Sequence, residues 1–385
     1  MSELTEFEQA RRRRRRKKNW RRTRRLAILL AVVAVIGITV FAGRQLGWDS
    51  HLTNLAASLR GGKGFPVALN RQETRQLIGV KGGVALCSEG SVTLLNSSGV
   101  ITGEFPHSYN RPVSVYSGGR LLTYDVGGTD WMLTNKTKIL QSGTGTGTGI
   151  LLGGTLNDKG TMALSRRGGS GLSVVTAYNA RGEEIFLLES GDCYLTVLAL
   201  DGKGTRLAAG GVTSGGGALG CAVKLHDMTG RQPAVSLDFA DEVLWKLQWC
   251  GDELLAVTDR GARVLSAEGT VLQETRFAET PTAIAIGSGG QLYTACGDSR
   301  EAAGVTVTAY DAALNEAGSL TVAERVLMLQ AEKNRVLILT EKTLLLGDAA
   351  LAEVKDREEA GIQRLAAWQN GYYCITEEGL TRRRL

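Results

Sequence analysis

Proline and histidine are scarce in this chain: five prolines and three histidines occur in 385 residues. So little proline, with 22% charged residues, argues against a disordered or collagen-like polymer in spite of 50 glycines. His51, His107 and His226 stand far apart, and none has a second histidine at ligand spacing, which excludes HExxH and zinc-finger sites. The six cysteines (Cys87, Cys193, Cys221, Cys250, Cys296, Cys374) form no CxxC pair and are expected as free thiols, most of them in apolar strands. A GxSxG elbow and a GK[ST] phosphate loop are both missing; Gly202-Lys-Gly-Thr205 is a fragment of the latter, in a turn with no helix behind it. No catalytic residue, cofactor or metal site is therefore expected. Scattered acids such as Asp125, Asp130, Asp259 and Asp298 would make a glycosidase or lyase pair only if the fold brought two within about 5–10 Å.

Charge is unevenly placed. The first 25 residues hold twelve of the 45 basic side chains and three of the 39 acidic ones, which leaves 33 against 36 in the rest. A tail is basic and the body is near neutral, so no nucleic acid is expected as a partner. Directly behind the tail, Leu26 to Gly43 runs eighteen residues without a charge. As a helix it spans about 27 Å, enough for a bilayer core. The arginines resist translocation, so residues 1–25 are expected in the cytoplasm against anionic inner-leaflet lipid, and everything after Gly43 outside. A cleaved signal peptide fits less well: the apolar run is longer than its usual core, and Val40-Phe41-Ala42 makes a poor cleavage site. Residues 44–64 read as a juxtamembrane stalk, with Leu52, Leu55 and Leu59 at helical spacing and a flexible Gly61-Gly62-Lys63-Gly64 break.

From Phe65 the pattern turns to apolar runs of four to seven residues bounded by Gly, Asn or Asp, which is strand chemistry. One phrase recurs, a strand followed by a polar turn and glycine: Val92-Thr-Leu-Leu-Asn-Ser-Ser-Gly99, Val175-Thr-Ala-Tyr-Asn-Ala-Arg-Gly182, Val223-Lys-Leu-His-Asp-Met-Thr-Gly230 and Ala262-Arg-Val-Leu-Ser-Ala-Glu-Gly269. Val307-Thr-Ala-Tyr-Asp-Ala-Ala-Leu314 keeps the phrase without the glycine, and weaker copies start at Trp131 and Thr343. A second phrase precedes it, an apolar strand ending in a hydroxyl and an acid: Val84 to Glu89, Leu254 to Asp259, Val336 to Glu341, Tyr372 to Glu377. Turns such as Asn157-Asp-Lys-Gly160 and Asp201-Gly-Lys-Gly204 stand before that. Each unit thus reads as four antiparallel strands in about 40–45 residues, the period of a propeller blade.

On these phrases residues 65–385 resemble β-propellers of the tryptophan–aspartate-repeat and quinoprotein-like class. The whole chain is similar to an uncharacterised family of single-pass, membrane-anchored propeller proteins of Gram-positive bacteria. The Gly-His and Trp-Asp dipeptides of the repeat class are absent, as is the tryptophan docking motif of quinone enzymes, so no quinone is implied.

Blades are expected at 75–108, 109–148, 149–191, 192–241, 242–280, 281–323 and 324–360. Residues 361–385 supply only three strands, and a ring avoids such an edge by closing fully. Phe65-Pro-Val-Ala-Leu-Asn70 offers the fourth strand. The expected fold is an all-β, eight-bladed β-propeller, with seven blades the alternative, behind an N-terminal transmembrane helix. Trp245, Leu247 and Trp249 are expected on one face of an innermost strand by period-two spacing.

Loops between second and third strands are long in the second, third, fourth and sixth units. They emerge on one face, where repeats collect binding residues. Asp125, Asp130, Arg166, Arg167, Asp298 and Arg300 are the expected polar contacts. The reading that follows is a membrane-anchored extracytoplasmic scaffold that engages a protein or a cell-envelope glycan; a carboxylate-dependent glycosidase or lyase at the channel mouth is the alternative.

Overall fold

Eight antiparallel sheets follow one another along the chain in a computed structural model: residues 74–106, 112–144, 151–190, 193–240, 244–276, 283–322, 326–356 and 364–384. The structure describes residues 54, 56–69, 74–144, 149–169, 171–213, 219–231, 234–297, 304–357, 361–368 and 371–384. The basic tail, the apolar run 26–43 and most of the stalk lie outside these. Among the described residues no helix is long and apolar enough to cross a membrane.

Seven sheets have four strands and the last has three. We call the strands A to D in chain order; the A strands of successive sheets pack on one another around the axis. The B strands are buried on both faces, as in Gly83–Ser88 and Arg335–Thr340, and so read as unbroken apolar runs rather than alternating ones. D strands such as Val271–Arg276 lie outermost and exposed. Eight apolar clusters fill the gaps between sheets, each shared by two successive blades. One of them joins Leu77, Val84, Leu86 and Leu95 of the first blade to Ala366, Tyr373, Ile375 and Leu380 of the last. The ring is closed, and it has eight blades.

The recurring phrase is C–D turn chemistry. The Asn96, Asn179 and Asp311 carboxamide or carboxylate oxygens each accept backbone N–H groups two and four residues on, at 2.9–3.1 Å. The turn then needs a left-handed residue, supplied by Gly182 (φ 84°) and its equivalents. Leu314, where the glycine is missing, takes the same conformation with φ 59°.

At the seam, Val67 N–H donates to Leu380 O and Leu380 N–H to Val67 O, both at 2.9 Å. Phe65 packs on Tyr373, and Arg382 Nη1 donates to Ser97 O at 2.8 Å. On the inner side Gly79 lies so close to the Ala367 carbonyl that a Cβ would sit 2.2 Å from its oxygen. The chain ahead of the seam is held as well: Asn96 Nδ2 donates to Ala57 O (3.0 Å) and Arg60 O (2.8 Å), and Lys136 Nζ to Ser58 Oγ (2.6 Å). Gly64 N–H donates to Ser98 O. Ala57 is buried, while Leu59 is 76% exposed.

The expected period-two face of the fifth blade's A strand, Leu244–Cys250, needs correction. A bulge between Leu244 and Lys246 puts Trp245 out of phase, so Leu244, Leu247 and Trp249 share the packed face. Similar irregularities displace Arg75, Thr196 and Leu327 in other A strands.

Candidate functional site: the loop face

In a four-stranded blade the B–C and D–A connections leave by the same end, opposite the A–B and C–D turns. The hydroxyl of the second phrase belongs to this end. Ser88, Thr258 and Thr340 accept the N–H of the residue three places on (3.0–3.1 Å) and lie within hydrogen-bond reach of its carbonyl, which latches a two-residue turn. The acids act locally too: Asp259 Oδ1 accepts Val243 N–H at 2.7 Å, and Glu89 pairs with Arg75. These repeated acids are turn residues.

Asp125 is buried, and its Oδ1 accepts Arg111 N–H at 2.7 Å. The loop it starts is tied to the next blade, since Gly127 N–H donates to Leu151 O and Leu151 N–H to Gly128 O. Asp130 accepts from Thr129 Oγ1 at 3.0 Å. Near these acids His107 stacks on Tyr109, with ring centroids 4.4 Å apart. Burial, with help from the negative Asp130 and Asp125, pushes the Tyr109 phenol up to about 12, and burial pulls the His107 imidazole down. Arg166 and Arg167 end the B strand Met162–Arg167 and line one groove with Ile150 and Leu187. Asp298 and Arg300 lie outside the described residues. The structure thus groups Asp125 with Asp130 on the second blade and Arg166 with Arg167 on the third.

Beneath the face, between the fourth and fifth blades, Glu242 and Arg263 form a buried ion pair with side chains 4% and 7% exposed. Both guanidinium ends reach the carboxylate (2.7 and 2.8 Å), Thr258 Oγ1 adds a third donor at 2.6 Å, and Arg263 covers the Phe239 ring. Hydrogen bonds from Arg263 hold the Glu242 carboxyl below its ordinary value despite burial. Asp192, Asp201 and Asp311 are lowered as well. Among the described residues every shifted carboxylate moves down, the direction of a paired anion and the opposite of a general acid. No group of three metal-ligating side chains occurs among them. None of the six thiols forms a disulfide there, and burial pushes Cys87 and Cys193 up to about 11.

Sequence reasoning missed the apolar part of this face. Ile150 (38% exposed), Val212 (37%), Leu219 (72%) and Val243 (49%) all stand at the loop end of the third to fifth blades. Leu219 carried a signal, as a lone aliphatic residue in the glycine-rich Gly215-Gly-Gly-Ala-Leu-Gly220. Other exposed aliphatics (Ile101, Ile139, Ile185, Val271) begin D strands and are spread around the rim.

The model of a family of unknown function, DUF5711, matches residues 67–385. The chain belongs to this family. No curated protein matches it. Among solved structures it is similar to the computationally designed Ika8 protein (TM-score 0.60, 14% identity, 82% of this chain and 97% of that one). It is also similar to the C-terminal WD40 domain of Sif2 (0.57, 11%, 83% and 98%) and to BamB from Moraxella catarrhalis (0.52, 9%, 82% and 98%). At these identities the DUF5711 chain shares a fold with them, a WD40- and BamB-like propeller, and the likeness extends no further.

Proposed function

We propose that this chain is a membrane-anchored scaffold whose extracytoplasmic propeller holds a protein partner on its loop face. The observation that carries the reading is the set Ile150, Val212, Leu219 and Val243, exposed aliphatic side chains gathered at one end of three neighbouring blades. Monomeric surfaces seldom leave such groups together in water. Aliphatic side chains also favour a protein over a glycan, which would call for aromatic rings to stack on. A ring tied by eight inter-blade clusters keeps this face rigid, so little ordering entropy is lost on docking. The anchor follows from the uncharged run 26–43 behind twelve basic residues, with the tail against anionic inner-leaflet lipid.

The test is photo-crosslinking in intact cells with a photoreactive residue at Leu219 or Val243, and at Ile139 or Ile185 on the rim as controls. A discrete protein adduct at the loop positions and none at the rim is expected. The same pattern at all four positions would overturn the reading. Protease added to whole cells should reach residues beyond 43; protection of the propeller would sink its placement outside.

A further inference from the structure

A groove of about 540 Å³ opens at the loop end of the third blade. Arg166 and Arg167 line it beside the backbone of Gly168 and Gly169, with Ile150 and Leu187 as apolar wall, and no acid contributes to the lining. The two arginines come from successive positions at the end of their strand, and both contribute to the lining. Arg166 is positioned: its Nη2 donates to Tyr178 Oη at 3.3 Å, and Tyr178 stacks on Trp131 of the second blade. Its Nε is buried and meets no acceptor. Among the described residues neither guanidinium is paired with a carboxylate.

We infer that this groove binds an extended acidic peptide segment, with an Asp or Glu carboxylate held by Arg166 and Arg167 and an adjacent aliphatic side chain against Ile150 and Leu187. Two uncompensated guanidinium groups fit a carboxylate bidentately. A phosphate would use the same donors but has no use for the aliphatic wall, which is Leu187 at 51% and Ile150 at 38% exposure. The inference rests on the loop-face reading above and names the chemistry of the partner there.

The experiment is selection of a random decapeptide phage library on the purified full chain in detergent. Enrichment of an acid next to Ile, Leu or Val is expected. Arg166→Gln should weaken a selected peptide about tenfold to a hundredfold, and Arg166→Lys by less, with the melting temperature of both variants unchanged. Selection without acidic residues, or selection that persists on the Arg166→Gln, Arg167→Gln double variant, would overturn the inference. So would displacement of the peptide by glycerol phosphate at matched ionic strength, which would make phosphate the ligand. Failure here with Leu219 adducts intact removes this inference alone; failure of those adducts removes the docking face itself.

Discussion

Val67 and Leu380 sit at opposite ends of the propeller's sequence and exchange two backbone hydrogen bonds, each 2.9 Å long. Among the described residues the contact is a single bridge, one residue pair rather than a full strand. Substitution Val67→Pro removes the donor to Leu380 and should cost on the order of 2 kcal/mol. A urea midpoint that stays at the wild-type position would show that the inner contacts alone seal the ring.

Glu242 and Arg263 are a second point of leverage. Removing one partner, as in Glu242→Gln or Arg263→Leu, leaves Arg263 with only the part-exposed Glu274 at 2.9 Å as counter-charge, or Glu242 with only Arg276 at 3.9 Å, and should cost about 3 kcal/mol, the low end for a broken buried pair. The pair also sets an acid limit. Glu242 has a folded pKa below its ordinary 4.5. Its contribution is therefore complete above about that pH and is lost as pH falls toward the folded value. Asp192 and Asp201 act in the same sense. Thermal unfolding between pH 7 and pH 3 should show stability falling below about pH 4.5 with a shallower slope in Glu242→Gln; an equal slope would contradict this account.

Leu314 sets two effects against each other. Its left-handed backbone costs about 1–2 kcal/mol relative to glycine, but its side chain is 5% exposed within an apolar cluster. Removing a buried leucine costs about 2–5 kcal/mol. Burial wins, so Leu314→Gly should destabilise by about 1–3 kcal/mol, although it restores the glycine found in four of the other repeats. Chemical denaturation decides the sign.

Asn96 uses both ends of its side chain. Its Oδ1 closes the turn to Ser98 and Val100, while its Nδ2 clasps Ala57 and Arg60. Asn96→Asp keeps the acceptor and loses the clasp. Trypsin should then cut sooner at Arg60 and Lys63, with little change in the melting temperature; cutting at the wild-type rate would show that the other contacts suffice.

Blade number and strand order were legible because the turns repeat. An Asn or Asp that accepts two N–H groups, followed by a left-handed residue, is written in local sequence wherever it occurs. The doubly buried B strands were legible for a similar reason, as unbroken apolar runs such as Leu254-Leu-Ala-Val257. The bulge at Trp245 was hidden, because an extra residue in an edge strand changes register without changing composition. Exposure was hidden too. Whether Leu219 or Val243 faces water is decided by which loops flank it in three dimensions, and neither residue type nor spacing records that. Of the expected contact residues, Arg166 and Arg167 stood out as adjacent cations at the end of an apolar strand. The part played by Tyr178 in orienting Arg166 depends on register across the ladder, beyond the reach of a one-dimensional reading.

The clasp around Ala57 and Arg60 also decides how the molecule would bear tension. A pull on the chain ahead of Ala56 meets Asn96 and Lys136 first, and reaches the Val67 bridge only when those have yielded. The contacts around Ala57 and Arg60 would thus yield ahead of the ring, and stretching a single molecule by its two ends should give a small early rupture before the propeller opens.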